Sequence, residues 1–348
     1  MAIKPIQLKN IKRLLIRSTN WIGDAVMTTP AVRAIRKNFP DAQISILTKP
    51  WVAPVFSDSH YVDNLLIYDK AGKHKGMVGK MRLAKDLKQY SFDAAILLQN
   101  AFEAALITFF AGIPCRIGYN TDARGFLLTH SVSCTPKIKK IHQTGYYLGI
   151  LQGVGLDTDG LGMDLVVNKK SQKRAVEILK EHGISGADRL VGINPSATFG
   201  PAKQWFPERY AALSDKIHEV FGADILVFGG PGDRELGRKI SQMMQHPLVD
   251  LCGKTRLEEA IALINMCNLF ITNDSGLMHV AAALDIPLIA IFGSTNPITT
   301  GPKGLNSKIV RVPIDCSPCL KPECPKSHLK CMDQIDVNMV FEVVKELL

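Results

Sequence analysis

No stretch of this 348-residue chain is apolar enough for long enough to read as a membrane-spanning helix. The nearest candidate, Ala94 to Ile113, is broken by Gln99, Asn100 and Glu103, which hydrocarbon does not tolerate. It reads instead as a buried strand followed by a core helix. The chain has no G-x-x-x-x-G-K-[ST] loop and no G-x-G-x-x-G turn, which argues against a P-loop and against a nicotinamide-binding first domain. Aromatic residues are scarce, and no lysine cluster alternates with them in the manner of single-strand binders, so nucleic acid is not the expected partner. Short repeats and low-complexity segments are lacking too. Near the start, Lys9-Asn10-Ile11-Lys12-Arg13 precedes only three apolar residues before Arg17, which is no signal-peptide pattern. A cytoplasmic protein is therefore expected.

What is present is enough apolar sequence, 46%, to bury a sizeable core. The length suits two ordinary domains, or one large barrel. Lys and Arg number 42 against 32 Asp and Glu, a net charge of +10. The excess is lopsided: residues 1–165 carry 21 basic and 12 acidic side chains, and residues 166–348 carry 21 and 20. The first half is thus suited to an anionic partner, and the two halves are expected to bind different things.

Of eight cysteines, Cys115, Cys134, Cys252 and Cys267 are scattered and read as small core residues. Cys316, Cys319, Cys324 and Cys331 cluster around His328. In a reducing compartment that spacing raises a structural zinc site, although it is not a standard zinc ribbon; reduced thiols in a proline-rich loop are the alternative.

Short β-branched runs alternate with helical stretches. Strands are expected at 13–19, 42–48, 65–68 and 92–98, with helices at 25–38 and 78–89. The pattern returns with strands at 190–195, 225–229, 269–272 and 288–293 and helices at 207–221, 234–245 and from 276. Strands that are nearly continuous in Val, Ile, Leu and Phe belong in parallel sheets covered on both faces. Two successive doubly wound α/β domains follow, 1–165 and 185–335, with a linker inside 160–188 and a last helix over 337–348. Ligands are expected at the carboxyl ends of the strands.

Four loops there carry chemistry. The first strand runs into Asn20-Trp21-Ile22-Gly23-Asp24, where Asp24 is either a helix cap or a carboxylate at the mouth of a site. Ser196-Ala197-Thr198 leads to Gly200-Pro201-Ala202-Lys203; hydroxyls, backbone N–H groups and one ammonium suit a diphosphate. Gly229-Gly230-Pro231-Gly232-Asp233 lets a ring or phosphate approach the backbone. Asn273-Asp274-Ser275-Gly276-Leu277 opens a helix whose first N–H groups point outward, with His279 one turn in. Asp157-Thr158-Asp159 resembles a D-x-D metal motif, but in a Gly-rich linker it is expected to be structural.

Taken together, Asn20–Asp24 with Met27 and Pro30, Gly200–Lys203 with Trp205 and Pro207, Asn273–Leu277 with His279, and the terminal cysteine segment resemble the ADP-heptose:lipopolysaccharide heptosyltransferases across essentially the whole chain. The versions found here are nearer the heptosyltransferase II branch. The resemblance implies a GT-B fold of two Rossmann-like domains facing across a cleft, with the last helix packing back on the first. It implies inverting transfer of L-glycero-D-manno-heptose from ADP-heptose to a phosphorylated lipid A-core acceptor at the inner membrane surface, with no cofactor required for catalysis. Asp24 matches the base. Lys203, Asp274, Ser275, Gly276 and His279 match the donor site, joined by Ser196, Ala197, Thr198, Gly230, Asp233 and Leu277; Lys203 also stabilises the leaving group. Candidate acceptor contacts are Asn20, Trp21, Lys73 and Lys75. A heptosyltransferase I or III, an epimerase of the same build, and a non-catalytic nucleotide- or nucleic-acid-binding protein are the alternatives.

Overall fold

Arg13–Arg17 (β1) buries its last four side chains, Leu-Leu-Ile-Arg, with no polar alternation. A strand of that kind must be covered on both faces, and it is central to a fully parallel sheet. The computed structural model describes residues 11–184 and 189–348. The expected start of the second domain, 185, lies outside the described residues. The chain divides into two units, Met1–Val166 and Val167–Leu348, so the break falls inside the expected linker.

The first unit contains β1, α1 (Ile22–Met27), α2 (Thr29–Asn38), β2 (Gln43–Thr48), β3 (Asn64–Ile67), α3 (Gly76–Lys88), β4 (Ala94–Leu97), α4 (Phe102–Phe110), β5 (Cys115–Tyr119), β6 (His130–Val132) and α5 (Gln143–Gln152). Its strand order is β3-β2-β1-β4-β5-β6. The single helix expected over 25–38 is two helices parted at Thr28. Pro30 has no N–H to give the Val26 carbonyl, which instead accepts from the Thr29 hydroxyl at 2.8 Å. In the D-x-D segment Asp159 pairs with Arg33 and Lys37, Arg33 also holds Asp164 and the Gly162 carbonyl, and Asp157 is tied to Asn38 through its backbone.

The second unit contains α6 (Lys169–Glu181), β7 (Leu190–Asn194), α7 (Pro207–Phe221), β8 (Asp224–Val227), α8 (Arg234–Met243), β9 (Leu248–Asp250), α9 (Leu257–Ile264), β10 (Leu269–Asn273), α10 (Gly276–Ala283), β11 (Leu288–Ile291), α11 (Pro297–Thr300), β12 (Ser307–Val310), α12 (Lys330–Asp333) and α13 (Val337–Leu347). Its order is β12-β11-β10-β7-β8-β9. Counted from its own first strand, this is the order of the first sheet. Much of the stretch read as linker is a helix, α6, packed on α9 as part of this unit. The last helix, α13, belongs to the second unit: Val340, Phe341 and Val344 are buried in that unit's core with Ile217, Ile289 and Val310. Its one apolar stripe packs beside α7, over β11 and β12, on the same face of the second sheet.

Candidate active site

In each sheet the strand order reverses once, between β1 and β4 and between β7 and β10. Ligands of doubly wound sheets bind outside the carboxyl ends at that point. The sequence-predicted loops follow β1, β7, β8 and β10, so three of the four flank a switch point.

In the second unit, Lys203 ends the Pro201–Lys203 turn after β7, and Asp274 directly follows β10. The Lys203 ammonium donates to Asp274 Oδ2 at 2.7 Å, and the Thr300 hydroxyl reaches the same oxygen at 3.3 Å. Beneath them Asn273 Oδ1 accepts from the Trp205 amide at 3.0 Å and the Tyr210 hydroxyl at 3.1 Å. Asn273 Nδ2 donates to the Pro195 carbonyl at 2.7 Å, which ties the loops after β7 and β10 together. Ser275 is the N-cap of α10 and accepts from the Met278 amide at 3.3 Å, leaving the Gly276 and Leu277 amides at the open first turn. His279 is buried on α10. Ser196 is half-buried, Ala197 is buried and Thr198 is exposed. After β8, Asp233 Oδ2 accepts from the Gly230 amide at 2.7 Å, so this carboxylate holds its own turn.

Gly200 is one position where glycine is required. Its φ is +152°, and a Cβ there would stand 2.4 Å from the Pro322 carbonyl oxygen. The Ala202 amide donates to that same carbonyl at 2.9 Å. The cysteine segment thus props the loop that carries Lys203. Among the described residues no group of three or more His, Cys, Asp or Glu stands where it could hold a metal ion, and the zinc site that the cysteine spacing raised is not shown. Cys331 is buried and its thiol is pushed up by burial, then by Cys319, Cys316 and Cys324; the Cys324 thiol is lowered by backbone N–H groups, that of Leu329 foremost. The segment is anchored by main-chain bonds instead: the Ser317 hydroxyl to the Gly293 carbonyl at 2.7 Å and the Leu320 amide to Ser294 at 2.8 Å.

In the first unit, Trp21 caps α1, which places Asp24 within the first helical turn rather than at the cap. The Tyr147 hydroxyl, on α5, donates to Asp24 Oδ1 at 3.1 Å. Burial raises the Tyr147 phenol far above its ordinary value and the neighbouring Asp24 raises it further, so it remains a donor. Asn20 is fixed from two sides: its Oδ1 accepts from Arg17 at 2.9 Å, and its carbonyl accepts from Trp51 Nε1 at 2.9 Å. Trp21 and Trp51 are both exposed. Of the basic candidates, Lys73 is engaged by Asp86 at 2.6 Å, and Lys75 is exposed as the residue preceding α3.

Sequence reasoning missed Tyr147, Arg17, Trp51 and Thr300. Only Arg17 left a signal, a charged residue that closes the apolar run Leu14-Leu15-Ile16.

Two Rossmann-like units of one strand order, each with polar loops at its switch point, are the build of a GT-B glycosyltransferase. Residues 80–330 match the model of glycosyltransferase family 9 (heptosyltransferase). Lipopolysaccharide heptosyltransferase 2 of Escherichia coli K12 is 30% identical over 97% of this chain and 98% of its own. Among solved structures, E. coli ADP-heptose LPS heptosyltransferase II superposes with a TM-score of 0.82 at 26% identity, covering 96% of this chain and 98% of the other. A glycosyl transferase family 9 protein of Veillonella parvula does so with 0.88 at 25% identity over 97% of each. The chain belongs to glycosyltransferase family 9, the heptosyltransferases.

Proposed function

We propose that this enzyme moves L-glycero-D-manno-heptose from ADP-heptose to the heptosyl-Kdo2-lipid A inner core of lipopolysaccharide, with inversion at the anomeric carbon. The reaction is that of a heptosyltransferase II. The observation that carries the reading is the full-length likeness to heptosyltransferase 2 relatives, combined with a Lys203–Asp274 pair at the second switch point.

Each residue has a role that its surroundings support. The second unit takes the nucleotide-sugar. Lys203 and the Gly276 and Leu277 amides face the diphosphate; as the glycosidic bond breaks, charge grows on that leaving group, and preorganised donors stabilise it without a metal. The first unit takes the acceptor, and its net positive charge suits a phosphorylated lipid. Asp24 accepts the proton of the attacking hydroxyl while Tyr147 holds its Oδ1 in place. No cofactor is needed for these steps. No helix among the described residues is long and apolar enough to cross a membrane. Contact with the cytoplasmic face of the inner membrane is peripheral and electrostatic, through exposed residues such as Lys75, which precedes α3. Turnover of ADP-heptose with heptosyl-Kdo2-lipid A tests the reading, and failure with that acceptor but transfer to Kdo2-lipid A reassigns it to heptosyltransferase I.

A further inference from the structure

Arg17, Lys49 and Tyr68 stand side by side at the carboxyl ends of β1, β2 and β3. The Lys49 ammonium lies 3.4 Å from the centroid of the Tyr68 ring and the Arg17 guanidinium carbon 5.5 Å from it. Both cations are only 2% exposed. Lys49 Nζ has no hydrogen-bond partner among the described residues, nor has Arg17 Nε. Around them the hydroxyls of Ser18, Thr19 and Thr48 are buried and equally unpartnered. The carboxylate within reach, Glu103, already accepts from the Tyr68 hydroxyl at 2.7 Å and pairs with Lys80 at 2.8 Å and Lys70 at 3.6 Å. Asp69, also within electrostatic reach, is bound to the amides of Gly72 and Lys73.

Burying a cation is costly unless it is paired, an aromatic face offsets only part of that cost, and here two cations are buried together. Burial, with Arg17 next, pushes the Lys49 ammonium down to about 8, the mark of a charge held against its preference. The Arg17 guanidinium gives its terminal nitrogens to the Ser18 and Leu47 carbonyls and to Asn20 Oδ1, which leaves both cations without a paired carboxylate. Two cations and three unpartnered hydroxyls, every one able to donate, form a cationic cradle. We infer that Arg17 and Lys49, with the hydroxyls of Ser18, Thr19 and Thr48, are a subsite for an oxyanion of the acceptor, a carboxylate or a phosphate. The assignment to the acceptor rests on the proposed function, because Arg17 also fixes Asn20 in the loop that carries Asp24. Four rotatable bonds let the Lys49 ammonium swing from the ring face onto an incoming oxygen while the backbone stays in place.

The test uses the full chain, with Lys49→Met, Lys49→Arg and Thr48→Val. Steady-state kinetics are run with ADP-heptose and three acceptors: heptosyl-Kdo2-lipid A, its dephosphorylated form and its carboxyl-reduced form. The expected result for Lys49→Met is an acceptor KM raised at least tenfold, an unchanged donor KM, and a Tm equal to or above wild type because an unpaired buried charge is gone. Lys49→Arg should retain most acceptor affinity, and Thr48→Val should raise the acceptor KM severalfold. If the penalty vanishes on the carboxyl-reduced acceptor the oxyanion is a carboxylate; if it vanishes on the dephosphorylated one it is a phosphate. An unchanged acceptor KM in Lys49→Met overturns the inference, as does a lowered Tm with both KM values raised, which marks a structural lysine. A second arm needs no turnover. With ADP saturating, inorganic phosphate or acetate should raise the Tm of wild type and not of Lys49→Met. If wild type transfers no heptose, the functional reading fails while this arm still decides the subsite, and an equal shift in both proteins overturns it.

Discussion

Lys203 and Asp274 follow two adjacent parallel strands, β7 and β10, and their side chains meet at 2.7 Å with 13% and 5% of their surfaces exposed. The pair closes the switch point of the second sheet and aims its one ammonium where a diphosphate would lie. Removing one partner of such a pair strands the other's charge, which costs about 3–5 kcal/mol. Lys203→Ala should therefore lower Tm and weaken ADP binding by at least tenfold in calorimetry. Lys203→Ala with Asp274→Asn should recover stability without recovering ADP affinity. Full ADP affinity in either variant would remove Lys203 from the donor site.

Asp24 and Tyr147 make a second pair, 3.1 Å apart. Asp24→Asn should abolish transfer and leave ADP affinity unchanged, because the base acts only on the acceptor hydroxyl. Tyr147→Phe removes one hydrogen bond worth about 1 kcal/mol. It should lower kcat roughly fivefold with little change in either KM. A Tyr147→Phe enzyme as fast as wild type would show that the phenol does not position the carboxylate.

Stability should depend on Glu103 in acid. Burial alone would raise its pKa; the hydrogen bonds from Lys80 and Tyr68, and the charges of Lys70 and Lys80, override this and hold it at about 2, against an ordinary 4.5. A carboxyl depressed by folding stabilises the native state fully above its unfolded value and loses that contribution as pH falls through the folded one. The contribution of Glu103 should thus be complete above about pH 4.5 and fade toward pH 2. Urea unfolding of Glu103→Gln should show a smaller loss of stability than wild type across that window. Parallel pH curves would contradict the assignment.

Gly200→Ala puts a methyl group against the Pro322 carbonyl and a side chain into a backbone conformation of φ +152°. The turn ending at Lys203 must shift, so the donor KM should rise severalfold while the acceptor KM holds. Equal changes in both would point to general destabilisation.

The central strands and the site loops were legible in the sequence because buried parallel strands are continuous apolar runs and the loops between them are polar. Strands β5, β6, β9 and β12 were not read: the last three are edge strands of three or four residues with side chains only partly buried, and β5, next to an edge, opens on the half-buried pair Cys115-Arg116. The final helix announced its apolar stripe, Val340, Phe341 and Val344, but which core receives a stripe is a tertiary fact. Tyr147 lies 123 residues from Asp24, on a helix whose sequence Gln-Thr-Gly-Tyr-Tyr-Leu-Gly carries no catalytic pattern. The hold of the cysteine segment on the Lys203 loop, through the Pro322 carbonyl, was not legible, because sequence does not distinguish that carbonyl from any other.

The most direct measurement is a transfer assay with purified full-length protein, ADP-heptose and heptosyl-Kdo2-lipid A, with product mass read by mass spectrometry and Asp24→Asn run beside wild type. The account predicts addition of one heptose by wild type without added metal and none by Asp24→Asn. Absence of heptose transfer by wild type to any inner-core acceptor, or equal transfer by Asp24→Asn, would contradict it.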